Sequence, residues 1–300
     1  MISDEAYKAL EEAVGPENAS REPAVMDGYS WQPHMNVDPD TWVPRPEAVV
    51  LPGSTEEVQA VVRVCNEQGL KLKAFCVGWG PFAGPGKEGV IQVDLRRMDR
   101  ILEIDEKNMI AVVEPFVVAG ALQAEAMKVG LNTHIIGAGP GHSPLAAATS
   151  MFGTGWDGIY MSNSFRNLLG VEWVLPSGEV LKLGTPGSGS GWFCGDGPGP
   201  SLRGIMRGWL GSCGGLGVFT KCALKLFKWP GPPKPEIEGT LLDVRTEEMS
   251  NFGTYMCLFP DRERYTEAVY KVGEAEIGYI HHKTSHPLLL AFLAPRLTRR

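Results

Sequence analysis

The feature that most constrains this chain is a glycine- and proline-rich stretch that follows an apolar run, AFCVGWGPFAGPG at residues 74–86. Glycine favours unusual backbone conformations and proline lacks an amide donor, so neither a helix nor a strand interior continues through the stretch. Two interpretations are open. The segment is an ordinary tight turn, or it is a loop whose backbone N–H groups converge on a phosphate, which is possible where no side chains intervene.

The residues before this loop predict a strand–helix–strand unit. AVVLP (48–52) is an apolar strand, and Ser54 with Glu57 forms a capping box that begins a helix ending at Gly69. The apolar residues of that helix recur at helical spacing: Val58, Val61, Val62 and Cys65. Residues 72–77 form the next strand. The loop therefore lies at the carboxyl end of a strand, where open α/β sheets bind ligands.

The hydrophobic pattern of the later segments predicts further strands, two helices and a linker. Strands are expected at 89–95, 100–105, 109–115, 168–175, 179–183 and 217–229, and helices at 118–129 and 203–210. The strands over 168–183 form a hairpin around the turn residues 176–178. A stiff proline-rich linker covers 229–235, and beyond it IEGTLLDV and a helical EMSNFGTY begin a new unit.

Composition excludes several classes of protein. The 300 residues carry a net charge of −7 without a long basic run, which argues against a nucleic-acid partner. The six cysteines form no CxxC or His/Cys pair, so no metal, iron–sulfur or c-type haem site is expected and the thiols should be reduced. The acidic start MISDEAYKALEEAVG lacks the features of a signal peptide, and no apolar run could span a bilayer. We expect a cytoplasmic protein.

Three segments imitate a dinucleotide-binding fingerprint: GWGPFAG (78–84), GAGPGH (137–142) and GSGSGWFCG (187–195). That fingerprint needs its third glycine at the start of a helix, with an acidic residue about 20 positions further on. Prolines interrupt the helices that would follow: Pro81, Pro85, Pro140 and Pro144. The sequence therefore argues against Rossmann-type NAD binding.

The order of several segments is more informative than any one glycine pattern. PEAVVLPGSTEEVQAVVRVCNEQGLKL, FCVGWGPFAGPG, VIQVDLRRMDRILEID and AVVEPFVVAGALQ are followed by NLLGVEWVLPSGEVLKLG and GPGPSLRGIMRGWLGSCGGLGVFTKCALKLF. This order resembles the FAD-binding domain of the vanillyl-alcohol oxidase and p-cresol methylhydroxylase family, over roughly residues 40–230. Glycolate-oxidase and lactate-dehydrogenase flavoproteins share this domain, so the resemblance indicates the cofactor better than the substrate.

The resemblance implies an α+β fold with a p-cresol-methylhydroxylase-type FAD-binding domain of two α/β subdomains and a short or truncated α+β cap. The implied domains are a helical N-terminal extension (1–40), the FAD-binding domain (41–230) and a partial cap or substrate domain (231–300). It also implies two cofactor loops and one strand position. The matching residues are Val77, Gly78, Trp79, Gly80, Pro81 and Phe82 around the pyrophosphate; Pro140, Gly141, Ala146, Ala147, Ala148, Thr149, Ser150 and Gly155 near the flavin; and Val218 at the adenine end.

Departures from the family pattern bear on how the cofactor is held. Relatives that bind FAD covalently often carry a histidine in the first loop, which here reads VGWGPF, so non-covalent FAD is expected. VEPF (113–116) replaces the common VEPG, and Cys213 stands where many relatives have glutamate. The amides of the small residues 146–149 are expected to approach the ring edge.

His142 is the histidine expected at the flavin face, where it would act as a general base while hydride leaves for the flavin N5 atom. The alternative is a loop histidine bonded to backbone. Tyr160 and Asp157 are further candidates. His281, His282 and His286 are expected at the surface because the GDGNxH-type metal motif of some relatives is absent, and Trp156, Trp173, Trp192 and Trp209 are expected in the core.

These observations predict an FAD-dependent oxidoreductase that oxidises a small hydroxylated or carboxylated molecule. The chain shows no centre to carry electrons onward, so an external acceptor or a partner subunit, in a homo- or hetero-oligomer, is expected. The alternative is an FAD-binding or structural subunit whose catalytic residues another chain supplies. The tail from Pro235 discriminates between them, because packing of Tyr279 or His281 near the flavin would favour the enzyme.

Overall fold

A computed structural model describes residues 2–30, 43–78, 83–150, 153–184, 189, 191–192, 216–239, 245–246, 251–253 and 255–283. The helices are α1 (Asp4–Val14), α2 (Pro23–Ser30), α3 (Thr55–Glu67), α4 (Ala119–Lys128), α5 (Pro144–Thr149), α6 (Gly158–Met161) and α7 (Arg262–Glu274). The strands are β1 (Ala19–Ser20), β2 (Ala48–Val50), β3 (Lys71–Phe75), β4 (Val90–Asp94), β5 (Ile101–Asp105), β6 (Ile110–Val113), β7 (Leu131–Asn132), β8 (Leu168–Val174), β9 (Val180–Leu183), β10 (Val218–Lys225), β11 (Phe227–Lys228), β12 (Ile237–Glu238) and β13 (Arg245–Thr246).

The first subdomain is a sheet in the order β1-β2-β4-β3, in which β4 pairs in parallel with both β2 and β3. The predicted strand–helix–strand unit is present as β2, α3 and β3. The Ser54 hydroxyl accepts from the amide of Glu57 at 3.1 Å, and the Glu57 carboxylate accepts from the amide of Gly53 at 2.8 Å. This variant of the capping box fixes the start of α3, whose valines pack on the sheet together with α1.

The second subdomain is an antiparallel sheet in the order β5-β6-β10-β8-β9. The predicted hairpin of β8 and β9 is present, and β5 pairs antiparallel with β6. Gly178 takes a φ of 84° in the turn between β8 and β9, a conformation that favours glycine. Leu122 of α4 and Leu145 of α5 lie in the core on this sheet with Leu168. The predicted mixed fold of two α/β subdomains is confirmed.

Several local predictions differ from the structure. The long strand expected over 217–229 breaks at Leu226, so that β10 joins the second sheet while β11 pairs with β7. Residues 251–253 and 255–259 are not helical, whereas α7 was not expected. Trp156 is 50% exposed rather than part of the core. The helix expected at 203–210, Trp209, Cys213 and His286 lie outside the described residues.

The N-terminal segment is built into the first subdomain. β1 pairs antiparallel with β2, and Leu10 of α1 lies fully buried in the core of this subdomain. The Tyr29 hydroxyl of α2 donates to the Asp94 carboxylate at 2.6 Å, which raises the pKa of Tyr29 together with burial, the larger cause. The expected domain boundaries near residues 40 and 230 stay a prediction, and residues 2–30 share a core with the sheet that follows them.

A buried carboxylate links the two subdomains. Glu172 on β8 accepts from the Thr55 hydroxyl of α3 at 2.7 Å and from the Lys221 ammonium of β10 at 2.6 Å. Burial opposes the charge, but the bonds from Lys221 and Thr55 prevail, so the pKa of Glu172 is lowered. Lys221 is therefore paired with Glu172 at this junction.

We expect Glu172→Gln to lower the free energy of unfolding by about 2 kcal/mol at neutral pH, because the charged hydrogen bonds are lost. A folded-state pKa below the ordinary value of 4.5 means that this stabilisation is present above that value and disappears as pH falls through the folded pKa. The difference between wild type and variant should therefore shrink as the pH of urea titrations falls below about 4.5. Glu179→Gln, an exposed change on the same hairpin, is the control. A constant difference at every pH would contradict the assignment.

Candidate functional site

The first loop begins at the carboxyl end of β3. Gly78 has a φ of 71°, and a Cβ added there would lie 2.6 Å from the Phe75 ring, so the chain turns sharply at a position that suits glycine. Val77 and Gly78 are half-buried. Four of the predicted cofactor residues lie outside the described residues: Trp79, Gly80, Pro81 and Phe82.

Gln92 holds the far end of the same loop. Its side chain is fully buried on β4, and its amide nitrogen donates to the carbonyls of Lys73 at 3.1 Å and Ala83 at 3.2 Å. The Gln92 Oε1 atom has no partner among the residues that the structure describes. Sequence reasoning missed this residue, although a polar glutamine between apolar neighbours in the strand VIQVD was a visible signal.

The second loop, residues 139–143, covers the start of α4. The amides of Ala119 and Gly120 donate to the carbonyls of His142 and Pro140, both at 2.9 Å. Val118 supplies no side-chain cap, so these loop carbonyls satisfy amides that the first turn of a helix leaves free. The segment 113–120 therefore positions the second loop.

Helix α5 follows the second loop directly. Pro144 stands at its start, where proline is favoured, so this proline begins a helix and does not interrupt one. The amide of Ala146 donates to the Ser143 hydroxyl at 3.1 Å, that of Ala147 to the Ser143 carbonyl and that of Ser150 to the Ala146 carbonyl, both at 2.9 Å. The amides of Ala146 and Ala147 are thus bonded to Ser143, and the approach of residues 146–149 to a flavin ring stays a prediction. Ala147, Ala148 and Thr149 are buried.

The two loops meet between Cys76 and Ser143. Burial raises the pKa of the Cys76 thiol to about 12, although the nearby Ser143 hydroxyl acts to lower it. Ser143 donates to the carbonyl of Pro115 at 2.6 Å. Residues of the first loop, the second loop and the β6–α4 connection thus lie together, and the Cys76 thiol is protonated and unreactive.

His142 lies in this junction with 3% of its surface exposed. Its Nδ1 atom donates to the Gly139 carbonyl at 2.8 Å, because a carbonyl oxygen can only accept. Burial lowers the pKa of His142 below 6.5, so the ring is neutral near neutral pH and Nε2 is its basic atom. The hydrogen bond to backbone that the alternative of a loop histidine predicts is therefore present. The same bond leaves Nε2 of His142 free to act as a base.

A histidine that sequence reasoning missed lies beside it. His134 is 4% exposed, and its Nδ1 atom lies 2.5 Å from an oxygen of Asp157, whose other oxygen accepts from the amide of Ile135 at 2.9 Å. Asp157, which the sequence suggested as a candidate base, is therefore hydrogen-bonded to the His134 ring. His134 and Asp157 stand 23 positions apart in the chain, so no local motif signals the pair.

Gly155 allows this pair to form. A Cβ at Gly155 would lie 2.1 Å from the Ile135 carbonyl oxygen and 2.8 Å from atoms of both Asp157 and His134. Gly155 was predicted as a cofactor contact, and that role stays a prediction. Close packing against Ile135 and His134 is a separate reason why this position requires glycine. Val218, the expected adenine contact, has its side chain in the core and pairs with Val174, whereas pairing of β10 with β6 begins at Cys222.

The tail returns to this part of the molecule. The Tyr279 hydroxyl accepts from the Asn132 side chain at 3.0 Å, and its ring lies 4.8 Å from that of Tyr160. The amide of His281 donates to the Trp156 carbonyl at 2.6 Å, and the exposed His282 stacks on the Trp156 ring. α7 buries none of its residues, and the contacts just described come from residues 279–282, which follow that helix.

Comparisons with known proteins show what this chain is similar to. Residues 46–184 match the family model described as "FAD binding domain". The chain is 27% identical to the glycolate oxidase subunit GlcD of Bacillus subtilis over 81% of its own length and 48% of that protein. It is 28% identical to the 4-cresol dehydrogenase flavoprotein subunit of Pseudomonas putida, over 80% and 46% of the two chains. It thus spans about half the length of these relatives.

Solved structures give the same result. The crystal structure of p-cresol methylhydroxylase with substrate bound aligns with a TM-score of 0.65 at 25% identity, covering 76% of this chain and 44% of that one. The 4-ethylphenol oxidase from Gulosibacter chungangensis aligns with a TM-score of 0.60 at 29% identity, over 78% and 45%. The expected family resemblance is confirmed: residues 46–184 are an FAD-binding domain shared with FAD-linked oxidoreductases, and the cofactor is FAD.

The described residues fit this cofactor. The segments 76–78 and 139–143 carry no acidic side chain that would repel a pyrophosphate, and a Cβ at Gly139 or Gly141 would meet nothing within 4 Å. No group of His, Cys, Asp or Glu suited to a metal ion occurs in the part of the chain that the structure describes. Among the same residues, no helix has the length and apolar character needed to cross a membrane.

Proposed function

We propose that this chain is the FAD-binding part of an oxidoreductase that takes hydride from a small hydroxylated or carboxylated organic molecule. The observation that carries the proposal is the match of residues 46–184 to the FAD-binding family, in which the chain turns at Gly78 and the second loop covers the start of α4. Relatives named for glycolate, lactate and cresol oxidation support the substrate class. A cytoplasmic location belongs to the same proposal.

In this proposal the loop from Val77 to Phe82 holds the pyrophosphate through backbone N–H groups, without a covalent bond. Residues 140–150 and Gly155 lie along the flavin, and the main chain of Val218 meets the adenine end. The small side chains of α5 permit close approach of the ring. Bound FAD supplies the acceptor for the two electrons that leave substrate as hydride at its N5 position.

His142 accepts the proton of the substrate hydroxyl in the same proposal. Its Nδ1 atom is fixed by the Gly139 carbonyl, which leaves Nε2 as the acceptor, and its lowered pKa keeps the ring neutral near neutral pH. Electrons then pass to an external acceptor or a partner subunit. The contacts of Tyr279 and His281 beside Asp157 favour a catalytic chain over a purely structural FAD-binding subunit.

The test is the visible absorption spectrum of the purified protein before and after acid precipitation. We expect a flavin spectrum whose colour stays in the supernatant, followed by anaerobic bleaching with hydroxy acids or alcohols. Colour retained in the pellet would contradict non-covalent binding. A colourless protein that takes up no FAD on reconstitution would contradict the proposed function.

Gly80→Val should abolish FAD retention, because a branched side chain would occupy the place of the pyrophosphate oxygens. Gly86→Val is the matched control, since Gly86 is exposed and a Cβ there meets nothing within 4 Å. Both variants are reconstituted with FAD and compared by absorbance after desalting. A Gly80→Val protein that stays as yellow as the control would refute this position for the pyrophosphate.

A further inference from the structure

His134 presents a buried nitrogen atom that the protein does not satisfy. The ring is 4% exposed, and its Nε2 atom has no hydrogen-bond partner among the described residues. Its other nitrogen is committed to Asp157. Buried polar atoms in native proteins are nearly always paired with protein or water, so an orphan of this kind points to a bound molecule.

The stereochemistry at Asp157 defines what this atom can bind. A carboxylate accepts hydrogen bonds, so Nδ1 of His134 carries a hydrogen, and in the neutral ring Nε2 carries a lone pair. When the ring is protonated, Nε2 becomes a donor instead. Water can donate to the first form and accept from the second, and it therefore suits both protonation states.

The cavity that His134 lines is the right size for one water molecule. His134 lines a cavity of about 10 Å³. Its other walls are Thr133, His142, Pro144, Ser164, Asn167, Leu224 and Lys225. A single water needs about 10–15 Å³ of such space and several polar partners. His142 is thus brought to the same cavity as the Asp157–His134 pair, although its own Nδ1 bond goes to Gly139.

We propose that Asp157, His134 and one water in this cavity form a buried proton site that serves His142. The proposal rests on the proposed function. When the substrate is oxidised, the hydrogen on its carbon leaves as hydride, which bound FAD would accept, and the O–H bond breaks so that its electron pair completes the carbonyl. The proton bonds to Nε2 of His142 and is relayed through the water to Nε2 of His134, where the Asp157 carboxylate offsets the positive charge.

The charges that face this site come from several elements. Asp157 precedes α6, His142 lies on the second loop and Lys225 lies at the end of β10. The ring of Tyr279 lies 4.8 Å from that of Tyr160. Burial chiefly raises the pKa of Tyr279, and the negative charge of Asp157 adds to the increase. His134 lowers the pKa of His142, and Asp157 raises it.

The site is tested first by NMR of the full chain with ¹⁵N-labelled histidine. The expected spectrum shows His134 with a proton on Nδ1, a strongly deshielded Nδ1–H resonance and a cross-relaxation peak between the ring and a long-lived water. A ring protonated at Nε2 alone, or a ring without a water contact, would overturn the proposal. Neither flavin nor substrate is needed for this measurement.

Two variants give a sharper result because their effects on His142 have opposite signs. His134→Gln should raise the midpoint of the His142 titration, and Asp157→Asn, which is nearly isosteric, should lower it. His282→Gln, the same substitution at an exposed ring, should leave it unchanged. Failure of both buried-site variants to move the midpoint would overturn the coupling. If His134→Gln does not fold, the sign found for Asp157→Asn decides.

The link to catalysis is read from the pH profile of anaerobic flavin bleaching. The acid limb should move in the direction of the His142 midpoint in each variant, with kcat affected more than KM. An unmoved limb in a protein that binds FAD and oxidises substrate would overturn the relay. Visible absorbance of the same samples reports FAD binding separately. A protein without FAD that keeps the water-linked pair would refute the proposed function and the catalytic link but leave the buried site standing.

Discussion

Gly155→Ala is expected to lower the free energy of unfolding by about 3 kcal/mol, the upper part of the usual range for overpacking. The new methyl group would stand 2.1 Å from the Ile135 carbonyl oxygen, which belongs to the backbone and cannot rotate away. Relief requires the segment that carries His134 to move from Asp157. Urea denaturation followed by circular dichroism measures the loss.

Gly158→Ala is the matched control for this change. It lies three positions further on, at the start of α6, and a Cβ there would find only the Asn163 side chain at 3.9 Å. We expect no more than about 0.5 kcal/mol of change in that variant. Gly155→Ala should also lose the deshielded His134 proton signal. Equal stability of the two variants would show that the close approach around Gly155 is absent in solution.

Asp94→Asn is expected to cost about 3 kcal/mol of unfolding free energy, because a buried carboxylate with several donors is replaced by a group that brings donors of its own. One oxygen of Asp94 accepts from the Tyr29 hydroxyl at 2.6 Å and the Arg96 guanidinium at 2.6 Å, and the other accepts from the Arg96 amide at 2.9 Å. The side-chain amide that the substitution introduces would place N–H groups against these donors. Urea denaturation measures the loss.

The effect should extend to the first cofactor loop. Asp94 is the partner of Phe75 in the β3–β4 pairing, and the loop begins directly after Phe75. The Tyr29 ring packs edge-on against Phe75 at 5.1 Å, so loosening α2 removes a support of the strand end. We therefore expect weaker FAD retention as well as lower stability. Asp99→Asn, an exposed change on the following turn, should change neither property.

Local sequence patterns predicted the elements of this fold well wherever the physical signal is local. Ser54 and Glu57 begin α3, and Gly178 turns the β8–β9 hairpin, because capping and positive φ depend on a few neighbouring residues. The single strand expected over 217–229 was wrong for the opposite reason. Its break at Leu226 reflects the separate pairing of β11 with β7, a long-range contact.

The candidate site divides in the same way. The glycine-rich loop after β3 and the small residues of α5 are visible in the sequence, because close backbone approach requires small side chains. The hydrogen bond from Gln92 to the Ala83 carbonyl could not be predicted from the sequence, because it depends on the loop folding back over β4. Trp156 was expected in the core, but at the turn before α6 it is half exposed and stacks on His282.

By itself, the sequence determined most strands and helices, because capping residues and hydrophobic period act over short distances. The FAD-binding fold followed from the resemblance in the order of its segments, and the places of the two cofactor loops stay a prediction. Only the tertiary structure decided which side chains meet. It joined Cys76 to Ser143, Glu172 to Thr55, and His134 to Asp157. Such pairs form between residues distant in the chain, and they exist because burial leaves each polar group no partner except the one that folding brings to it.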